Sequence, residues 1–242
     1  MVWGPLDRRI GISVRRQALD RHLESVRGRM RGRVLEIGCG STGRRGAFRP
    51  PALLAHRWVY LDLERSKQPN VQADAERLPF AAASFDTIVC LEVLEYVSRP
   101  DDALREMRRV LGPEGALILS TPFLHRADHP RDLWRFTEHG LRTLLRRAGF
   151  DVIDLTAQGH ALATAANILR AAIYAEPQGW RRRALGLVAW PLLALLRRLD
   201  RASARRRPEL ATFSTGYLVI AEPITGGPQA VDEQDAAEFS HA

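Results

Sequence analysis

Two histidines and two aspartates occur within eight residues of the chain, at His125, Asp128, His129 and Asp132. A histidine or carboxylate that faces a substrate hydroxyl can remove its proton during a reaction, so this cluster is suited to general-base catalysis. We expect His129 to be the base, with His125 as the second choice and Asp128 as a further catalytic residue.

Two residues that could bind a substrate follow the cluster directly. A sugar ring can stack on Trp134, and Arg135 can pair with a phosphate or a carboxylate. A structural interpretation stays open, in which Asp132 caps a turn, Trp134 and Phe136 belong to the core and His125 lies on the surface. A divalent metal is a further alternative. The segment of His125 and His129 is not predicted to be helical, so no helical His-x-x-x-His arrangement supports a metal site, and we assign no metal ligand.

A glycine-rich turn follows an apolar run at residues 34–43, where VLEIGCGSTG fits the pattern G-x-G-x-x-G. Gly38 and Gly40 let the backbone approach a ligand closely at the carboxyl end of a strand. Asp62 lies 22 residues after Gly40 and ends the next apolar run. An acid there can accept hydrogen bonds from both hydroxyls of a ribose, and its alternative role is a helix N-cap.

Two further acids favour S-adenosylmethionine over NAD as the ligand of this turn. Glu36 lies in the predicted strand just before the glycines. A carboxylate there repels a pyrophosphate but does not repel a ligand that carries an ammonium and a sulfonium. Asp74 precedes another predicted strand, where its carboxylate could accept a hydrogen bond from the adenine amino group.

These residues are set in a regular alternation of predicted strands and helices. We expect strands at residues 33–38, 58–63, 85–91, 116–121, 151–155 and 217–221. We expect helices at residues 15–31, 101–111 and 137–148, and a turn at residues 112–115. Such alternation implies a mostly parallel α/β sheet, whose carboxyl strand ends meet the ligand.

Four segments in order resemble the type-11 family of class I S-adenosylmethionine-dependent methyltransferases, namely VLEIGCG, YLDL, DAERLPFAAASFDTIVCLEVLEYV and ALREMRRVLGPEGALILSTP. They cover about residues 33–122. The resemblance implies a Rossmann-like, seven-stranded, mostly parallel sheet with a reversed last strand, and S-adenosyl-L-methionine as the cofactor. It implies cofactor contacts from Glu36, Gly38, Cys39, Gly40, Asp62, Leu63, Asp74, Ala75, Leu91 and Glu92.

Departures from the family pattern are local. Tyr96 stands where many relatives have His, and Glu114 stands where many have Gly. The segment from His125 to Thr137 is similar to a stretch of type-11 methyltransferases associated with glycan and cell-envelope pathways. Cys39 and Cys90 are expected to be small buried residues rather than nucleophiles.

The net charge of +8 is concentrated in one segment, because residues 181–207 hold nine arginines and one aspartate. We expect an N-terminal helical segment at residues 1–32 and a catalytic domain at 33–225. That domain carries a helical lid at about 160–210, and a disordered acidic tail follows at 226–242. The apolar run at residues 184–196 is too short to cross a bilayer, but its flanking arginines suit an anionic membrane surface. Alternatively, the inserted helices pack on the domain or form a dimer contact.

The expected activity is O-methylation of a saccharide, a glycolipid or another small hydroxylated metabolite. Methylation of a quinone-like or polyketide ring is the alternative within the same class. A nucleic-acid-binding protein and a non-catalytic scaffold are the alternatives from other classes. Only the arginine-rich segment supports the nucleic-acid interpretation. The rest of the chain has a net charge of about zero, so no nucleic-acid partner is expected. The mixed charged and apolar residues 1–16 favour a cytoplasmic location, with peripheral membrane contact through residues 180–207.

Overall fold

A computed structural model describes residues 13–40, 47–51, 55–127, 129–177 and 179–224. Seven strands form one sheet in the order β3-β2-β1-β4-β5-β7-β6. Their bounds are β1 Gly32–Ile37, β2 Ala55–Asp62, β3 Val71–Gln72, β4 Phe85–Leu91, β5 Leu111–Pro122, β6 Phe150–Ala157 and β7 Gly216–Pro223. β1 to β5 pair in parallel, whereas β7 is antiparallel to both β5 and β6. The predicted sheet with a reversed last strand is confirmed.

The helices in the described residues are α1 Val14–Ser25, α2 Pro100–Val110, α3 Glu138–Arg147, α4 Ala161–Ala175, α5 Trp180–Arg206 and α6 Pro208–Ala211. α1 begins where the Ser13 side chain accepts a hydrogen bond from the backbone N–H of Arg16, at 3.0 Å. It ends earlier than the predicted helix at residues 15–31. The hydroxyl of Ser25 donates to the carbonyl of His22, and a 3-10 turn at Arg27–Arg29 follows. Such side-chain bonds compete with helix continuation.

The turn predicted at residues 112–115 is a bulge inside β5. Phe85 of β4 pairs with Leu111, and the next paired residues are Thr87 and Ala116. The extra residues of β5 are therefore accommodated without ending the strand, which continues to Pro122.

Each face of the sheet is covered by helices from a different part of the chain. Leu104 and Met107 of α2 and Leu141 and Leu145 of α3 are fully buried against one face. On the other face, Leu19 and Leu23 of α1 are buried with strand residues of β1, β4, β5 and β7. This arrangement leaves the carboxyl ends of β1, β2, β4 and β5 as the edge on which a ligand site can form.

α4 and α5 are inserted between β6 and β7, in the place of the predicted lid. The buried carboxylate of Asp200 in α5 accepts hydrogen bonds from the backbone N–H groups of His160 and Ala163, at 2.9 and 2.8 Å. These bonds join the start of α4 to α5, because the first N–H groups of a helix have no partner within it. Val14 of α1 packs in a buried cluster with Ala163 of α4.

In the ranges given above, we find no helix that is both long and apolar enough to cross a bilayer. The predicted acidic tail at residues 226–242, Gly43 of the glycine motif and the candidate Asp128 lie outside the described residues. The domain boundaries and the covering role of the inserted helices stay predictions.

Candidate active site

The glycine turn after β1 has the backbone conformation that its sequence predicts. Gly38 has φ +69° and Gly40 has φ +58°, a region that residues with a side chain rarely adopt. A Cβ on Gly38 would lie 2.2 Å from Cγ2 of Val93, so packing also requires glycine there. A Cβ on Gly40 would meet no described atom within 4 Å. Among the described residues, no atom therefore occupies the position of a side chain at Gly40.

Asp62 joins this turn to the end of β2. Its Oδ2 accepts a hydrogen bond from the backbone N–H of Gly40 at 3.1 Å, and its Oδ1 accepts one from that of Glu64 at 3.0 Å. The N–H of Gly38 donates to the carbonyl of Leu61 at 2.8 Å. Leu63 is 47% exposed beside these groups. The edge thus places a carboxylate and an exposed apolar side chain together.

The other predicted cofactor residues surround the same edge. The N–H of Ala73 donates to the carbonyl of Asp62 at 3.2 Å, which brings Asp74 and Ala75 beside β2. Asp74 is exposed and Ala75 is buried. Glu36 is buried, and its carboxylate accepts a hydrogen bond from Nε1 of Trp58 at 3.0 Å.

The end of β4 leads directly into a strained residue. Leu91 is buried, and Glu92 after it has φ +57°, which is uncommon for a residue with a side chain. The N–H of Glu92 donates to the carbonyl of Ser120 at 2.9 Å, and its carboxylate accepts from the Ser120 hydroxyl at 2.8 Å. The carboxylate also forms an ion pair with Arg15 of α1. Such strain is often found at functional sites because the surroundings hold it in place.

A cavity of about 160 Å³ opens beside Glu92, between α1, β5 and the segment that follows β5. Its lining residues are Arg15, Arg16, Leu19, Glu92, Glu95, Tyr96, Pro122, His125 and Asp132. It contains the predicted second-choice base, His125. His129 is exposed and is not among the lining residues. Its ring lies edge-on to Tyr96, with centroids 6.0 Å apart, and its Nδ1 accepts a hydrogen bond from the N–H of Arg131 at 3.1 Å.

The predicted substrate-binding pair has a clear role in holding its own segment. Arg135 forms a two-pronged ion pair with Asp132 and donates to the carbonyl of Arg126 at 3.2 Å. Nε1 of Trp134 donates to the carbonyl of Val97 at 2.8 Å, while 41% of the residue stays exposed. Arg135 is thus engaged within the segment, whereas Trp134 retains exposed surface for a ligand. The neighbouring Phe136 is buried in the core.

Glu95 and Arg15 are among the lining residues that were not predicted as site residues. Glu95 is 2% exposed, and burial raises the pKa of its carboxyl from 4.5 to about 7. Its own backbone N–H and the charges of Arg15 and Arg135 lower this pKa, whereas Asp132 raises it. Glu95 lies three residues after Glu92 in the motif LEVLEYV, so the sequence offered a signal for it. Arg15 belongs to a helix that is distant in sequence, and no motif connects it with the cavity. In the part of the chain that the structure describes, no group of three His, Cys, Asp or Glu side chains is placed to hold a metal ion.

Comparisons with known proteins relate the chain to methyltransferases. Residues 35–119 match a family model described as a methyltransferase domain. The chain is 31% identical over 184 residues to the O-methyltransferase rstn1 of Aspergillus nomiae, covering 64% of this chain and 80% of that protein. It is 28% identical over 145 residues to a malonyl-(acyl-carrier protein) O-methyltransferase of Enterobacter lignolyticus, covering 56% and 58% of the two chains. A ubiquinone biosynthesis O-methyltransferase of Xanthomonas euvesicatoria is 37% identical over 101 residues, covering 37% and 42%.

The extent of these matches varies. The chain spans only 58% and 42% of the second and third relatives, so what those whole proteins act on does not transfer directly. Among solved structures, the cyclase SpnF superimposes with a TM-score of 0.57 at 21% identity, covering 87% of this chain and 83% of that one. A cyclase on this fold illustrates that the fold alone does not fix the reaction.

Proposed function

The chain belongs to the class I S-adenosylmethionine-dependent methyltransferases, and from this membership we propose that it methylates an oxygen of a saccharide, a glycolipid or another small hydroxylated metabolite. The cofactor, when bound, supplies a methyl group on a positively charged sulfur. The observation that carries the proposal is the polar cavity beside Glu92, which adjoins the cofactor edge and is lined by His125, Tyr96 and three carboxylates.

The carboxyl edge of the sheet suits a cationic, nucleoside-containing cofactor. We assign Asp62 to the ribose hydroxyls, Asp74 to the adenine amino group and the exposed side chain of Leu63 to the adenine face. We expect the backbone at Gly40 to lie against the ligand, since no described atom would contact a Cβ there. Glu36, Cys39, Ala75, Leu91 and Glu92 complete the proposed cofactor surroundings.

The acceptor would enter from the side of the segment after β5. His125 lines the cavity, and the exposed part of Trp134 lies on the same segment, where it could stack on a ring. The names of the three relatives above support transfer to oxygen. His129, which does not line the cavity, is kept as an alternative base, and replacement by alanine tests it: turnover within about threefold of the wild type at unchanged cofactor binding removes it from the mechanism.

A quinone-like or polyketide ring is the second candidate acceptor. The outward side of α5, which we call the apolar face of α5, exposes Trp180, Leu185, Leu187, Val188, Leu192, Leu195 and Leu199. Val188 is 79% exposed and Leu187 is 62% exposed. Residues 181–207 add nine arginines, and their only acid, Asp200, is buried against α4. This combination supports peripheral contact with an anionic membrane, where a lipid-linked or quinone-like acceptor would be found.

The acceptor class can be determined with methyl-labelled S-adenosylmethionine. The protein is incubated with the labelled cofactor and host-cell extract, and the products are partitioned between water and organic solvent. Label confined to water supports a saccharide or soluble metabolite, and label in the organic phase supports a lipid-linked or quinone-like acceptor. An Asp62→Ala variant serves as the control for cofactor-dependent labelling. Absence of label from both phases, with cofactor binding intact, contradicts the proposal.

A further inference from the structure

The carboxylates of the cavity differ in whether a cation neutralises them. Glu92 pairs with Arg15, and Asp132 pairs with Arg135. Glu95 lines the same cavity and forms no ion pair within 4.0 Å among the described residues. Its Oε2 is buried and accepts no hydrogen bond from any described residue. A buried carboxyl oxygen without a donor is costly unless a ligand or a proton satisfies it.

The backbone at Glu95 is anchored by hydrogen bonds from the segment after β5. Its carbonyl accepts hydrogen bonds from the N–H groups of Leu133 and Trp134, at 2.8 and 3.3 Å. The 3-10 turn at Leu94–Tyr96 is thereby joined to the segment that carries His125 and Asp132. Since Glu92 is also bonded to β5, the whole turn is fixed relative to the carboxyl edge of the sheet. A carboxyl carried on an anchored turn is suited to meeting one hydroxyl of a substrate in a defined position.

We propose that Glu95 is the proton acceptor for the substrate hydroxyl, an inference that rests on the proposed O-methyl transfer. As the hydroxyl oxygen bonds to the methyl carbon, the bond from that carbon to sulfur breaks, and its electron pair stays on the sulfur. The hydroxyl proton moves to the Glu95 carboxylate and leaves to solvent after the product departs. The reaction thus converts an alcohol and a sulfonium into an ether and a neutral thioether, with the released proton held first by Glu95.

The surroundings of Glu95 are consistent with a group that gains and loses a proton near neutral pH. Burial raises its pKa to about 7, against the lowering effect of Arg15 and Arg135. A base with a pKa near the working pH is effective because it is ionised and still binds a proton well. The charged and titratable groups that face it are Arg15 and Arg16 from α1, Glu92 and Tyr96 from its own segment, and His125, Asp132 and Arg135 from the segment after β5.

The test compares the full-length wild type with Glu95→Gln, Glu95→Asp and Glu114→Gln. Glu114 is an exposed carboxylate in the bulge of β5, at the opposite edge of the sheet, so Glu114→Gln is the matched control. The assay measures methyl transfer from labelled cofactor to host-cell extract, and equilibrium dialysis measures cofactor binding. We expect Glu95→Gln to lose about 100-fold or more of the transfer rate, in the range for a general base, with cofactor binding unchanged. Glu95→Asp should recover at least part of that loss, and Glu114→Gln should match the wild type.

The pH profile separates Glu95 from the histidines. The wild-type rate should fall about tenfold for each pH unit below about 7, since the base is then protonated. This acidic limb should persist in His125→Asn and His129→Asn and be absent from the residual activity of Glu95→Gln. A Glu95→Gln rate within about threefold of the wild type overturns the inference, and so does an acidic limb lost only in a histidine variant. A wild type that binds the cofactor but labels no product instead refutes the proposed function, and the inference with it.

Discussion

Replacement of Glu95 by glutamine should change how the stability of the protein depends on pH. The pKa of the Glu95 carboxyl is 4.5 in the unfolded chain and is raised to about 7 in the folded one. Between these values the folded chain retains a proton that the unfolded chain has lost, so the free energy of unfolding falls as pH rises through this interval. The stability contributed by the protonated Glu95 carboxyl is thus fully present below pH 4.5 and is lost as the pH rises through about 7.

The size of the effect follows from the same two pKa values. At about 1.4 kcal/mol for each pH unit, the full interval corresponds to about 3.5 kcal/mol, of which about 2.5 kcal/mol falls between pH 5 and pH 8. The Gln side chain does not titrate, so the stability of Glu95→Gln relative to the wild type should rise by about that amount across the range.

Urea unfolding followed by far-ultraviolet circular dichroism at four pH values between about 5 and 8 measures this difference. Glu114→Gln serves as the control, and its stability relative to the wild type should stay constant within about 0.5 kcal/mol. If the difference for Glu95→Gln is equally constant, Glu95 ionises as readily in the folded protein as in the unfolded chain. The raised pKa, and the physical basis for its role as a base, would then be wrong.

Four further outcomes are expected. Gly40→Ala should weaken cofactor binding at least tenfold in equilibrium dialysis, because φ +58° disfavours a side chain and its Cβ would project into the ligand space; unchanged binding would contradict the assigned space. Asp62→Ala should weaken binding and also destabilise the turn by about 1–2 kcal/mol, since two backbone N–H groups lose their acceptor, and thermal unfolding checks the second effect. Asp200→Ala should destabilise the inserted helices by about 1–2 kcal/mol, as for a lost helix cap, seen as faster amide hydrogen exchange in α4; equal exchange would refute that role. Leu187→Glu with Val188→Glu should abolish pelleting with anionic vesicles and leave methyl transfer to water-soluble acceptors unchanged, whereas a wild type that fails to pellet at low salt ends the membrane hypothesis.

The sheet was predictable because its central strands are buried on both faces and appear as short apolar runs. β1, β4 and β5 carry residues such as Leu35, Ile88 and Leu117 that are fully buried, and their runs end in glycine or polar residues. β3, with the two residues Val71 and Gln72, escaped prediction because so short a strand has no periodicity. The cofactor edge was predictable for a related reason, since its side chains follow strand ends whose position in the sheet is fixed by topology.

The acceptor side was less accessible to sequence reasoning. His125 and His129 lie four residues apart on one irregular segment, and no periodicity indicates which of them faces the cavity. The contribution of Arg15 depends on its ion pair with Glu92, which follows β4 and lies 77 residues farther along the chain. The importance of Glu95 depends on burial, which a motif does not reveal.

The cofactor groups and most of the cavity wall, including Arg15 of α1, come from different parts of the chain. The cofactor groups from Glu36 to Glu92 all lie within the segment that matches the family model, residues 35–119. Most of the cavity wall lies outside it, on α1 and on the segment from Pro122 to Asp132. Two segments outside the family match therefore surround residues that lie within it. Grafting α1 and the segment after β5 from a relative together should change substrate choice and leave the cofactor site intact, whereas grafting α1 alone would replace Arg15, the ion-pair partner of Glu92.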